Sequence, residues 1–408
     1  METILAFLAV VISASLVITR LGPFLSLILA SIAFGLLSGM GGEMLEYISS
    51  GLSRIFSSLA LVVFCGALMA EYLRRTEGMD RIVFDLRRLT GKIQMVSGAA
   101  GYLLSLPAMC SITAYMILEP VVKGLAEKAG SDANRYLFMT AACSIISFNL
   151  IYPSPVMITL ASGLSAEPSD LLRHSIPISL ILFAFCYLLM RHMFPGVEVQ
   201  GVQNPPPRMK SIRAWIPLLV PLGMMLLGSF YLPAAVLARP DMALLMGAMI
   251  CLWLERGMAQ EMVHAASRRS GVILLDLCGA GAFGYVIAES GLAGEIYQMG
   301  QFLPSLLLPF FLSALLQLAI GSRVVTAAVS CQILAGYPLP PVTLALLIAS
   351  GAFILPYVTD PYFWLIKRST KASMMQMVRG YTLPLSLLGL ASFLLAGLSS
   401  LIWPQVLK

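Results

Sequence analysis

The sequence predicts an all-α polytopic membrane protein built as two inverted repeats. Each repeat has five transmembrane helices and one re-entrant helical hairpin, with broken helices at the midplane. Three observations predict it. The 408-residue chain is 59% hydrophobic and 11% charged, where a soluble domain carries about 25% charged residues. The second half repeats the first: Cys65-Gly66-Ala67, Tyr72 and Gly78 return as Cys278-Gly279-Ala280, Tyr285 and Gly291, and Thr113-Ala114 returns as Thr326-Ala327, all at one offset of 213 residues. Pro155 and Pro177 then fall on Pro361 and Pro384, after a few residues are lost from a loop. Internal duplication in an apolar chain marks a transporter built from repeats. Finally, Lys and Arg gather on one side of the layout that the apolar segments dictate.

A span needs about 20 apolar residues. Repeat 1 (1–195) supplies helices at 3–19, 21–39 and 55–73, a hairpin at 94–124, a broken helix at 137–165 and a helix at 172–191. Residues 3–19 lack a basic leading segment and a clear cleavage site, so they read as a first span and not as a removable signal. A linker at 196–211, with Pro205-Pro206-Pro207 and basic residues, joins the halves. Repeat 2 (212–408) supplies helices at 212–232, 241–256 and 270–288, a hairpin at 302–336, a broken helix at 341–366 and a helix at 381–402. The two hairpin segments are interrupted near their middles, at Leu106-Pro107-Ala108-Met109 and at Gly321-Ser322-Arg323. Each flank is about 18–25 Å long at 1.5 Å per residue, short of a full span. Each segment therefore enters and leaves on one side. Segment 79–90 reads as an amphipathic, basic helix at the interface.

Charge tests this layout. With both termini outside, only Arg54, Arg173, Arg239 and Lys408 lie outside, and only Arg323 lies within the membrane; the rest of the 26 Lys and Arg face the cytoplasm. That asymmetry obeys the positive-inside rule, and it holds only if both hairpins return to their starting side. An odd number of helices per repeat then inserts the second half upside down, and the hairpin tips meet near the midplane.

Lipid offers backbone groups no water, so non-helical backbone at membrane depth must be covered by protein or line a cavity. Four breaks stand out: 105–113, 148–155, 321–326 and 356–361. They fall into two pairs related by the repeat, and half-helix ends converging there would suit an anion and a coupling cation. Arg323 suits bidentate binding of a carboxylate; the other readings are a structural ion pair with Asp360 or Asp276, or snorkelling to an interface. Ser322, Thr326, Ser111, Thr113 and Asn149 offer hydrogen bonds, and each taken alone also reads as a helix–helix contact. Gly321 and Thr359, in the same breaks, complete the candidate substrate-binding set. Asp360 and Asp276 are the candidate ion-coupling carboxylates, with helix capping or internal hydrogen bonding as their alternative roles.

Other classes find no support. There is no HExxH, GxSxG or P-loop, so neither an enzyme nor an ATP-driven pump is expected. The seven cysteines lie in apolar stretches without a CxxC pair, so no metal or disulfide is expected. The small net charge of +6 gives no reason to expect nucleic acid. The reading is a secondary transporter in the cytoplasmic (inner) membrane. It moves a small organic anion, most simply a carboxylate, coupled to H+ or Na+, with no other cofactor. A passive channel and an exporter remain alternatives.

Gly321 to Ala327 (GSRVVTA), Thr359-Asp360-Pro361-Tyr362-Phe363-Trp364, and the tract from Gly101 through Pro107 to Leu118-Glu119-Pro120 resemble the gluconate permease family of the ion transporter superfamily. The resemblance runs over roughly 30–400. It implies symport of an organic anion with protons or sodium, elevator-like movement of the hairpin domain, and a homodimer formed through scaffold helices. The chain departs from the family pattern at Arg323, usually a small residue, at Val324, usually Thr, at Thr359, usually Asn, and at Ala108-Met109-Cys110, usually a more polar run with an acid.

Overall fold

The computed structural model describes residues 21–402 except 91, 107, 195–208, 232–238, 293–294, 296–303 and 358, together with positions 7, 9, 10 and 13. Most of the predicted helix at 3–19 and nearly all of the linker at 196–211 lie outside the described residues. The first half runs α1 (Pro23–Leu37), α2 (Glu43–Arg75), α3 (Gly78–Thr90), α4 (Ile93–Leu104), α5 (Ser111–Lys128), α6 (Ala133–Leu150), α7 (Pro155–Leu164) and α8 (Pro168–Met193). The second half runs α9 (Ser211–Tyr231), α10 (Pro240–Leu254), α11 (Ala259–Glu289), α12 (Leu307–Ile320), α13 (Arg323–Ile333), α14 (Pro341–Gly351), α15 (Pro361–Thr370) and α16 (Leu383–Ile402). A short helix at Met374–Met377 and a π turn at Val378–Thr382 lead into α16.

Several helices outrun the apolar windows. α2 starts at Glu43 and not near 55, and it bends by 47° between Ser57 and Ala60. α11 starts at Ala259 and not near 270. The reason is common to both. Backbone hydrogen bonding continues into polar turns that a hydropathy window ignores, and Glu43 and Glu46 in the first turn of α2 favour its positive end.

By length and apolar composition, four stretches among the described residues can cross a membrane: Ala133–Leu164, Pro168–Met193, Arg256–Glu289 and Met374–Ser400, with the bent α2 a fifth. Six further apolar helices among the described residues have 10–17 residues. α1, with 15 residues, and α10, with 15, each rise about 22 Å.

α6 is buried from Arg135 to Leu150, and α14 from Val342 to Gly351. Around them, α8 exposes Leu180, Ile181 and Leu188, and α16 exposes Leu390, Leu394 and Leu398. The four-residue spacing on α16 makes an apolar stripe, and such a surface suits lipid.

The repeated Cys-Gly-Ala motif has a packing reason. A Cβ on Gly66 of α2 would lie 1.9 Å from Cγ of Met109, in the α4–α5 turn. A Cβ on Gly279 of α11 would lie 3.1 Å from the backbone of Phe24 in α1. The glycine in each long helix therefore seats a partner that enters close to its axis.

On the predicted cytoplasmic side, α3 buries Met79, Ile82, Val83 and Leu86 and exposes Arg88. Its Asp85 accepts bonds from Arg81 Nε (3.0 Å), Trp215 Nε1 (3.0 Å) and the Ser211 hydroxyl. These bonds tie α3 to the start of α9.

Candidate substrate site

The helix pairs read from sequence as hairpins, α4–α5 and α12–α13, and those read as broken helices, α6–α7 and α14–α15, are interrupted in the same place. Ser111, Pro155, Arg323 and Pro361 are the first residues of α5, α7, α13 and α15. All four line one cavity of about 220 Å³. A helix N-terminus carries roughly half a positive charge and unsatisfied N–H groups. Four such ends therefore face one small space.

The four ends are finished differently. Ser154 caps α7 by accepting from the Met157 N–H (3.3 Å), and Asp360 caps α15 by accepting from the Tyr362 N–H (2.9 Å). Proline follows each cap, where its missing N–H costs no intrahelical bond. The hairpin helices lack this closure. Neither Cys110, before α5, nor Ser322, before α13, makes a side-chain cap bond. The first intrahelical bonds there are Ala114 N–H to the Cys110 carbonyl and Thr326 N–H to the Ser322 carbonyl. The N–H groups before Ala114 and Thr326 have no partner within their own helices.

Arg323 is buried. Its Nη2 lies 3.1 Å from Asp360 Oδ2 and 3.4 Å from the Tyr381 hydroxyl, which itself donates to Asp360 Oδ2 at 2.9 Å. Both contacts use Nη2, and the buried Nε has no hydrogen-bond partner. The ion pair thus leaves part of the guanidinium uncommitted. Asp360 is more fully engaged, with the Tyr362 N–H on Oδ1 and two donors on Oδ2. Tyr362 stacks edge-on against Tyr115 and Tyr381, with centroids 5.5 and 5.8 Å away, and bonds Ser144 of α6 at 3.0 Å.

The irregular backbone nearby is held by side chains, as membrane depth demands. Thr382 donates to the Pro356 carbonyl (2.7 Å), and the Ser386 hydroxyl accepts from the Leu355 N–H (3.0 Å). Gly321 ends α12 at φ +74°, and a Cβ there would lie 2.1 Å from the Thr359 carbonyl oxygen. Only glycine allows the second hairpin to meet the second broken helix this closely.

Of the residues singled out from sequence, Arg323, Ser322, Gly321, Ser111, Asp360 and Asp276 line the cavity together. Asp276 reaches it from α11, and its Oδ1 accepts from the Phe24 N–H at 3.2 Å. The other four do not line it. Thr326 donates to Gln317 Oε1 across the hairpin (3.0 Å), and Thr359 donates to the Leu318 carbonyl (2.8 Å). Thr113 is buried in α5. Asn149 is buried beside Phe148, with neither side-chain polar atom bonded. Sequence reasoning missed Tyr381. Its place beside Gly380, at the start of the last apolar segment, was the only available signal, and nothing there marks its hydroxyl.

Comparison with known proteins agrees with this architecture. The chain is 24% identical to a high-affinity gluconate transporter of Escherichia coli K12 over 405 residues, covering 89% of this chain and 91% of that protein. It is 22% identical to the D-serine transporter DsdX of the same strain over 419 residues, covering 91% and 92%. Its fold matches the crystal structure of the YdaH transporter of Alcanivorax borkumensis with a TM-score of 0.63 and 18% identity, covering 89% and 90%. The profile described as GntP family permease matches residues 1–208 and 224–402. With a profile match over nearly its whole length, the chain belongs to the GntP family of permeases and is a membrane transporter, not an enzyme.

Proposed function

We propose that the protein is a symporter of a small organic anion, coupled to protons, with the anion held at Arg323 between the two hairpin tips. One observation carries this reading: four half-helix N-termini, two of them uncapped, face the cavity that Arg323 lines. Positive helix ends and open N–H groups stabilise an anion in a low dielectric. The gluconate transporters among the relatives carry an anion of this kind by name.

Charge balance gives the reason for coupling. Arg323 and Asp360 neutralise each other, so an incoming carboxylate would meet Asp276 as a second uncompensated negative charge. In a desolvated site that is costly unless a cation arrives too. Asp276 is the natural proton acceptor, because it accepts from one donor, the Phe24 N–H, where Asp360 accepts from three, one backbone and two side-chain. Sodium at the same carboxylate is the competing choice.

From α1 and α10 onward, α3 apart, the helix order recurs among the described residues, and the layout read from the sequence puts most basic residues on one side. Both support inverted repeats, with the termini outside a cytoplasmic membrane. The hairpins and broken helices would then move as one body against α2 and α11, carrying their part of the cavity past the wall of Ile273, Asp276 and Leu277 on α11. Among the described residues Ser111, Ser322, Arg323 and Asp360 of the breaks line one cavity, which favours a carrier over a passive channel.

Saturable uptake of radiolabelled carboxylates into proteoliposomes, above that of protein-free vesicles, tests the reading, because one carboxylate moving with one proton carries no net charge and gives no current. A panel of carboxylates is applied with pH and sodium gradients imposed separately. The expected result is saturable uptake that an inward proton gradient drives, and that Asp276→Asn loses. Sodium-driven uptake unchanged in Asp276→Asn would remove both the proton and Asp276 from the mechanism.

A further inference from the structure

We infer that the preferred substrate is a small monocarboxylate with an apolar body, in place of a polyhydroxylated acid. This rests on the anion-transport reading and adds the substrate class to it. The cavity wall is mostly apolar: Ile112, Phe148, Ile273, Leu277, Val324 and Val325 all contribute. The polar groups are few and largely committed. Asp360 already accepts from Tyr362, Arg323 and Tyr381. Asp276 accepts from Phe24. Thr326 and Thr359, each next in sequence to a lining residue, bond to Gln317 and to the Leu318 carbonyl; Thr113 and Asn149, beside Ile112 and Phe148, are buried and do not line the cavity.

With Arg323 and the open N–H groups holding the carboxylate, the hydroxyls of Ser111 and Ser322 and one oxygen of Asp276 remain for the rest of the substrate. The Cys110 thiol adds only a weak donor. A six-carbon acid with five hydroxyls brings far more hydrogen-bonding capacity than these can meet. Each hydroxyl buried without a partner costs about tenfold in affinity or more. A methylene buried against the same wall gains roughly fourfold. The volume of about 220 Å³ falls below the 300–1,000 Å³ typical of drug-sized ligands, so the body must be short.

The test is calorimetric binding to the full-length protein in nanodiscs, with butyrate, valerate, hexanoate and gluconate as probes. Binding is read instead of uptake, because neutral fatty acids cross bilayers unaided. Arg323→Gln in the same nanodiscs gives the background for partitioning into lipid. The expected result is Arg323-dependent binding that tightens from butyrate towards hexanoate by up to roughly fourfold per carbon, with gluconate at least about tenfold weaker than hexanoate. In Ile273→Thr, which adds a hydroxyl to the wall, that gap should narrow; an unchanged gap would overturn the assignment of selectivity to this wall. Gluconate binding as tightly as hexanoate, and lost in Arg323→Gln, would overturn the inference and leave anion transport standing. Arg323-independent heats for every acid, from protein that elutes as a single folded species, would overturn both.

Discussion

At the scale of single residues, two roles compete for Arg323, and the geometry combines them. Nη2 is shared by Asp360 and Tyr381, while Nε is left over. Removing one member of a buried pair costs about 3–5 kcal/mol, because the other charge is stranded. The two members are not equivalent. Arg323→Gln leaves Asp360 with the Tyr362 N–H and the Tyr381 hydroxyl. Asp360→Asn leaves a buried guanidinium with no carboxylate. The expected order of apparent melting temperature is therefore Asp360→Asn lowest, then Arg323→Gln, with the double variant losing clearly less than the sum of the two. Anion binding should be lost in both variants that lack Arg323. Additive losses would mean that the pair contributes nothing as a pair. Arg323 and Asp360 were legible in the sequence because charge inside an apolar segment is costly and conspicuous. Tyr381 was not, because a tyrosine in an apolar helix looks like packing, and its partners lie 21 positions away in Asp360 and 58 in Arg323.

At the scale of elements, the breaks were legible and the side-chain directions within them were not. Proline and polar residues betray an interruption, but the interruption also ends the 3.6-residue periodicity that tells which face a residue takes. Thr326 and Ser322 are four residues apart, yet Ser322 reaches the cavity and Thr326 crosses to Gln317. The open end of α5 offers a direct check on where the first hairpin points. Cys110 lines the cavity and is half-buried, whereas the other six cysteines are buried. A small methanethiosulfonate reagent should therefore modify one cysteine in the folded protein, identified by mass spectrometry as Cys110. A bound carboxylate should slow that reaction several-fold, and Cys110→Ala should abolish it. Modification at the same rate with and without every bound anion would take the α4–α5 turn out of the site.

At the scale of the whole molecule, the all-α polytopic class came through because composition is summed over hundreds of residues and tolerates local error, while the inverted repeats and their orientation belong to the proposal. Helix ends did not come through, as the early starts of α2 at Glu43 and α11 at Ala259 show. Orientation depends on the hairpins in an all-or-none way. If each re-entrant pair returns to its own side, α3 faces the cytoplasm and the start of α8 faces out. If both pairs cross, the segment between them inverts. Arg88 on α3 and Arg173 on α8 are both exposed, and neither forms part of the cavity wall. Asp85 would be a poor probe, since it ties α3 to Ser211 and Trp215. In a background lacking the native cysteines, a cysteine at position 88 should react with an impermeant maleimide only after the membrane is opened. A cysteine at position 173 should react on intact cells. Both reacting from the same side would mean that the first hairpin crosses the bilayer. The inverted-repeat arrangement would fall with it, and so would the convergence of the two hairpin tips from opposite faces on which the proposed carrier depends.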